Sequence, residues 1–323
     1  MSNQEYLLNE ENNRYTVYPI QNNAIWNSYK KQQAAFWTAE EIDFSKDYED
    51  FQKLNKNEQH FIKMILAFFS SSDTIVNINL GERFINDIKI REAIITYTWQ
   101  MAMESIHSET YSLQIDNIIK DPIEKNKIFN SLKDFPFVAE KANWAFKWIK
   151  SDESFAKRLI AFAIVEGVFF SGSFCSIFWL KKRNIMPGLC SSNELIARDE
   201  GMHTNFAVLL YSMIENKLSE TEIHQMFSEA VDIEIKFICE SLPCSLLGMN
   251  SDLMTEYVKY VADRLLVELN YSKLFNSKNP FDFMESISVE GKTNFFEFRP
   301  TQYQKASVLN KSKNNIFDLS NDF

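Results

Sequence analysis

Two of the four histidines in the chain stand in the same short pattern, Glu104-x-x-His107 and Glu200-x-x-His203. Residues three apart on a helix share a face, so each pair can chelate a metal ion through one oxygen and one nitrogen. A single pair of this kind is commonly a surface coincidence. Here the pairs lie in separate long helical stretches, each followed by apolar residues (Tyr111 and Leu113; Phe206, Val208 and Leu209). That points to a dimetal site inside a helical bundle, in which two further helices each add a carboxylate. Glu166 is the lone charge of the apolar run Leu159–Leu180, and Asp73 lies in the middle of FFSSSDTIVNINL with no basic residue nearby. Burying either one unpaired is costly, and ligation of a cation removes that cost. Asp73 has a second reading, as a helix-start cap after Ser70-Ser71-Ser72. Asp73, Glu104, His107, Glu166, Glu200 and His203 together offer four carboxylates and two imidazoles. Such a set suits iron or manganese better than zinc or copper.

Tyr111 follows His107 by four residues and Glu104 by seven, which puts it on the ligand face of its helix. Phe170 and Phe174 fall at i+4 and i+8 from Glu166, and Ile196 at i−4 from Glu200. An apolar cage of this sort is what a long-lived oxidised phenoxyl requires, since it keeps water and reductants away. The same residues also read as ordinary core around a hydrogen-bonded tyrosine, and periodicity does not choose between the two.

The elements that must carry these residues are helices. Only 7 Gly and 7 Pro occur in 323 residues, against 45% hydrophobic and 14% aromatic content, so an all-α chain with a large core is expected. Helical patterning runs over 57–83, 90–119, 122–132, 139–150, 154–183, 191–217, 220–241 and 252–269, about eight long helices. Ser151-Asp152-Glu153 reads as the cap of the apolar helix, Met186-Pro187-Gly188 as its end, and Ser191 to Glu194 as the start of the next. Residues 1–45 read as polar and irregular, residues 1–300 as one domain, and residues 301–323 as a flexible tail.

A net charge of −10 argues against non-specific nucleic-acid binding. Cys175, Cys190, Cys239 and Cys244 form no CxxC pair and read as reduced thiols, hence a cytoplasmic setting. The start Met-Ser-Asn-Gln-Glu-Tyr has neither the basic residues nor the apolar run of a signal peptide. Leu159–Leu180 is long enough to span a bilayer, but Glu166 near its middle favours the central helix of a bundle over a membrane span. No other stretch reads as comparably apolar.

With these residues in place, the chain resembles the class I ribonucleotide reductase small subunit, especially the eukaryotic and large-DNA-virus kind. The segments that carry the resemblance include FWTAEEIDFSKD (Phe36–Asp47), SSDTIVN (Ser71–Asn77), MESIHSETYSL (Met103–Leu113), VEGVFFSGSF (Val165–Phe174), SNELIARDEGMH (Ser192–His203) and EGKTNFFEFR (Glu290–Arg299). The resemblance implies a ferritin-like fold and a homodimer, or a heterodimer with a related small subunit. It implies two iron ions, oxo-bridged when oxidised, with manganese an alternative. Asp73, Glu104 and His107 would bind one iron, Glu166, Glu200 and His203 the other, with Glu104 and Glu200 bridging. Tyr111 would carry a stable radical formed with oxygen, and Trp37 and Asp199 would join His107 in a path for electrons and protons. Tyr303 would pass the oxidising equivalent to the large subunit, where ribonucleoside diphosphates are reduced. The last residues, Phe317–Phe323, resemble the tail that docks on that subunit.

Some positions depart from the family's usual pattern. Ser70, Ser71 and Thr74 stand where alanine, alanine and glycine are usual, Ile78 replaces an acidic residue, and Ser105 replaces an asparagine. None removes a ligand or Tyr111, but together they predict unusual surroundings for the metals, which can alter affinity. They also keep open a structural partner subunit that supports assembly of an active one. An unrelated diiron oxygenase or ferroxidase would not need Trp37, Tyr303 and a terminal Phe323.

Overall fold

The computed structural model describes residues 5–241 and 250–284, with no strand among them. After 3-10 turns at Tyr6–Leu8 and Glu10–Asn12 come α1 (Asn23–Ala34), α2 (Asp47–Lys53) and α3 (Lys56–Asn79). A π-helical turn, Leu80–Phe84, joins α3 to the short α4 (Ile85–Asp87). Then follow α5 (Arg91–Ile118), α6 (Pro122–Phe129), α7 (Ser131–Asp134), α8 (Pro136–Ile149) and α9 (Phe155–Ile164). A second π-helical turn, Val165–Phe169, leads from α9 into α10 (Ser171–Lys182), and α11 (Pro187–Ser212), α12 (Glu220–Ser241) and α13 (Ser251–Glu268) complete the bundle.

At the centre α3 lies along α5, and α11 packs on α5, α9 and α10; α8, α12 and α13 close the bundle on its other side. The core is one continuous apolar cluster that includes Phe61, Phe69, Tyr97, Tyr111, Phe162, Phe206 and Phe227. Local chemistry sets several starts. Asn55 accepts from the N–H groups of Asn57 and Glu58, and Glu58 bonds back to Asn55 N, a reciprocal cap for α3. Asp121 caps α6, whose first residue is Pro122. Ser154 caps α9, next to the 151–153 cap read from the sequence.

Three expectations are corrected. α1 occupies part of the irregular 1–45 segment; it buries only Ile25 and Gln32, too few for an apolar stripe, and Asn22 caps it. α11 starts at Pro187 rather than near Ser191, because its cap comes from α2. Asp47 accepts from Gly188 N at 2.9 Å and Leu189 N at 2.6 Å. A Cβ at Gly188 would sit 2.6 Å from Asp43 O, so only glycine allows this approach. Finally, Phe155–Lys182 is not alone in its length and apolarity: Lys56–Asp87 also passes as a possible span. Their most apolar windows are 89% and 67% buried within the bundle, which is where that apolar surface is used. Cys175, Cys190 and Cys239 are free thiols, and Cys244 lies outside the described residues.

Candidate metal centre

Four neighbouring elements deliver the six proposed ligands to one place. Asp73 comes from α3, Glu104 and His107 from α5, Glu166 from the second π-helical turn, and Glu200 and His203 from α11. All six are buried. They form two overlapping groups, Asp73–Glu104–His107 and Glu104–Glu166–Glu200–His203, within each of which the ligand atoms lie no more than 4.8 Å apart. Glu104 belongs to both. His203 Nδ1 is 2.9 Å from Glu104 Oε1 and 3.1 Å from Glu200 Oε2, while His107 Nδ1 is 3.1 Å from Glu200 Oε1. Asp73 is therefore a mid-helix side chain of α3, not a helix-start cap.

What distinguishes the cluster is how little of it is satisfied by protein. Both oxygens of Glu104, Asp73 Oδ2, Glu166 Oε2, Glu200 Oε1 and His107 Nδ1 are buried without a hydrogen bond of good geometry. Buried acceptors in a protein nearly always have a donor, so several unsatisfied atoms converging on one another fit a pair of metal cations. The proton energetics agree. Burial, reinforced by the Glu104 charge, pushes the Asp73 carboxyl well up, and burial with the Glu200 charge does the same to Glu166. For Glu200, the adjoining Glu166 and the two neighbouring imidazoles outweigh burial and hold it low. Burial alone would depress His203, but Glu104 and Glu200 raise it to about 9. The cluster thus holds on to protons where cations would otherwise balance its charge.

Trp37, Asp199 and His107 meet beside the cluster. Trp37 Nε1 donates to Asp199 Oδ2 at 2.7 Å, and His107 Nε2 lies 3.2 Å from the same oxygen. The indole stacks on the imidazole, with centroids 5.9 Å apart and planes 22° apart. With Nε2 turned to Asp199, His107 Nδ1 is left facing the carboxylates. Arg198 donates to Asp199 Oδ1 at 2.9 Å and, with His107, holds the Asp199 carboxyl low against burial.

Tyr111 is buried beside the cluster and its hydroxyl has no hydrogen-bond partner among the described residues. Its ring stacks on Phe69 at 4.5 Å and 13°, and Phe69 in turn meets Phe170 at 6.0 Å and Phe174 at 5.6 Å. Ile196 is fully buried in the same core. The sequence reading missed Phe69, although its place four residues before Asp73 on α3 was a usable signal. It also missed Gln100, whose Nε2 donates to Glu166 Oε1 at 3.1 Å and which sits one turn before Glu104. Tyr303 and Phe317–Phe323 lie outside the described residues.

Of the residues that depart from the family pattern, Ser70, Ser71, Thr74, Ile78 and Ser105 do not touch the ligands, whereas the departing stretch Ile94–Gln100 reaches Glu166 through Gln100. Thr74 and Ser105 each follow a ligand by one residue, which turns them about 100° away on a helix, and both are exposed. Ile78 packs in a side cluster with Ile75, Ala142 and Ala145. Ser70 and Ser71 face Ser131 at 3.4 and 3.3 Å. Of the α3 serines, Ser72 is the one that reaches a ligand, donating to Asp73 Oδ1 at 2.9 Å.

Comparison with known proteins places this geometry in context. The family described as "Ribonucleotide reductase, small chain" matches residues 14–280. The ribonucleoside-diphosphate reductase small chain of Spisula solidissima is 56% identical over 323 residues, covering 99% of this chain and 84% of that protein. Its counterpart from Plasmodium falciparum (isolate Dd2) is 55% identical, covering 99% and 91%. Among solved structures, the Rnr4 homodimer of Saccharomyces cerevisiae aligns with a TM-score of 0.80 at 39% identity, covering 88% of this chain and 92% of that one. The dimanganese(II)-NrdF of Streptococcus sanguinis, at 18% identity and a TM-score of 0.73 over 86% and 98%, shares the fold. A bundle that gathers two Glu-x-x-His pairs and two lone carboxylates, with relatives this similar along nearly its whole length, belongs to the ribonucleotide reductase small-chain family, the small subunit of ribonucleoside-diphosphate reductase.

Proposed function

We propose that the chain is a radical-forming small subunit, in which Asp73, Glu104 and His107 hold one iron ion and Glu166, Glu200 and His203 a second. Glu104 and Glu200 would serve both ions, and the same ligands suit manganese. The observation that carries this reading is the set of buried carboxylate and imidazole atoms without hydrogen-bond partners. A bound, reduced metal pair supplies the oxidation of a nearby phenol by oxygen. Tyr111 is that phenol. Its burial and its stack on Phe69, with Phe170 and Phe174 behind, keep water and reductants from the ring, and Ile196 adds to the same apolar wall. Asp199 Oδ2 contacts both Trp37 Nε1 and His107 Nε2, so an electron leaving the indole can travel with a proton shift along that oxygen.

Tyr303 would relay the oxidising equivalent onward, and the terminal segment ending in Phe323 would dock on a large subunit that reduces ribonucleoside diphosphates. One anchored aromatic ring with a few ionic contacts suffices for such docking. The Rnr4 relative is described as a homodimer, which supports a dimer here too. We place the protein in the cytoplasm.

The test is anaerobic loading with ferrous iron, exposure to oxygen, and electron paramagnetic resonance with iron quantitation on the same sample. A tyrosyl signal absent from Tyr111→Phe, with two irons retained in both proteins, is the expected result. Two irons and no signal would overturn the radical reading, and a folded protein that takes up no iron would favour the assembly-partner reading. Deleting the last seven residues should abolish binding to a large subunit.

A further inference from the structure

Away from the ligands, and among the described residues, the bundle buries a further charged pair. Lys141 of α8 is 1% exposed, and its Nζ lies 2.7 Å from Oε2 of Glu234 on α12, which is fully buried. The same ammonium donates to the Phe169 carbonyl at 2.6 Å and stands 3.4 Å from the ring centroid of Phe68 and 4.1 Å from that of Phe237. Phe169 is the last residue of the π-helical turn that carries Glu166. A π turn inserts an extra residue into the helical ladder and is intrinsically less favourable than α-helix, so it persists where something outside the helix holds it.

Glu234 grips the other side. Glycine at position 172 lets it approach, since a Cβ there would sit 2.8 Å from Glu234 Oε1 and 2.7 Å from Ile238 Cγ1. The pair therefore engages the chain at Phe169 and at Gly172, on either side of Phe170. Phe170 stacks on Phe69 and Phe174, the rings that back Tyr111. Stability alone does not account for the arrangement. A buried ion pair replaced by apolar groups of similar volume commonly leaves stability unchanged or raises it.

We infer that Lys141 and Glu234 are a positioning pair, which holds the π-helical turn at Phe169 and the start of α10 at Gly172 and thereby sets where Glu166 and Phe170 stand. The inference rests on the proposed reading of Glu166 as a metal ligand. Removing the pair should leave the bundle folded but weaken the metal position that Glu166 serves, while the position formed by Asp73, Glu104 and His107 keeps its ion.

The full-length chain, its Lys141→Met/Glu234→Leu double variant and a Glu166→Ala variant are titrated with Mn(II) without oxygen and followed by electron paramagnetic resonance, alongside thermal unfolding of the metal-free proteins. Two adjacent Mn(II) ions give an exchange-coupled spectrum, and a single ion gives an isolated six-line signal. We expect the coupled spectrum from the unaltered chain. The double variant should unfold at or above the same temperature, show the six-line signal, and bind its second ion at least tenfold more weakly. A coupled spectrum with unchanged affinity in the double variant, when Glu166→Ala has lost it, overturns the positioning role and leaves the ligand reading intact. A coupled spectrum retained in Glu166→Ala overturns the ligand reading itself. Should the double variant fail to fold, Glu234→Gln, which removes the ion pair and keeps the lysine, is read by the same two criteria.

Discussion

Buried carboxylates occur in two kinds of place in this bundle, and the protein treats them in opposite ways. Glu92, Asp263 and Asp47 are buried with donors built in, and Glu234 is buried against the Lys141 ammonium. Asp263 Oδ1 accepts from Leu274 N and Phe275 N at 2.9 Å each, and its Oδ2 accepts from Ser277 N at 3.0 Å. Glu92 Oε1 accepts from Gln21 N at 2.7 Å and from Arg14. Asp73, Glu104, Glu166 and Glu200 are buried to the same degree, yet most of their oxygens face one another or an imidazole without a proper donor. Burial of acid therefore does not mark a site in this fold. Absence of donors does, because an unsatisfied buried carboxylate is expensive unless something outside the chain completes it.

The sharpest way to break this distinction is to neutralise one acid of each kind and compare signs. Asp73→Asn should lower affinity for the metal at that position by about a hundredfold or more, because an amide oxygen carries no charge to offset the cation. In the metal-free protein it should raise stability by about 1–2 kcal/mol, since a carboxyl that burial and Glu104 push upward no longer has to be accommodated. Metal titration and calorimetry on one preparation measure both. Unchanged metal binding, or a large loss of apo stability, would put Asp73 in the other class. For Asp263→Ala the sign reverses: three backbone donors lose a charged acceptor, and urea unfolding should show a loss of about 2–4 kcal/mol with metal binding intact.

Which acids belong to which class was only partly legible in the chain itself. Glu166 and Asp73 stood out because each was a lone charge in an apolar stretch, and helical spacing linked Glu104 to His107 and Tyr111. Spacing within a helix carries no information about partners on other helices, and that is where the remaining features lie. Asp47 caps a helix that begins some 140 residues later, so the start of α11 was misplaced. Lys141, in a stretch rich in lysine and acid, gives no hint that it is buried against Glu234. The widened turn at Val165–Phe169 is equally silent, because its residues suit an α-helix as well as a π turn. Thr74 and Ser105 erred in the other direction: adjacency in sequence suggested influence on the metals, and helix geometry turned both outward.

A milder test concerns Glu92, which ties the N-terminal segment to the start of α5. Donation from Gln21 N and Arg14 outweighs burial and holds its carboxyl below the usual range. A depressed folded value means that its stabilisation is full above the ordinary glutamate range and disappears as pH falls through the folded value. Glu92→Gln should therefore cost about 1.5–3 kcal/mol near neutrality. The difference from the unaltered chain should shrink on acidification to about pH 3, because the unaltered chain alone loses stability there. Urea midpoints across that interval check it, and a difference that grows with acid would contradict the assigned partners.

The smallest effect should come from Ser105→Asn, and its smallness is informative. Ser105 lies next to Glu104, and its hydroxyl bonds back to the Met101 carbonyl at 2.9 Å on the exposed side of α5. An asparagine there gains no route to the ligands, since the helix turns successive side chains about 100° apart. Stability should move by no more than about 0.5 kcal/mol, as for exposed helix positions generally. The resonance spectrum of the loaded protein should keep its shape and intensity per iron. A changed spectrum would show that an exposed neighbour of a ligand can reach the metals through the backbone of α5, and donor satisfaction around each carboxylate would no longer suffice to delimit the site.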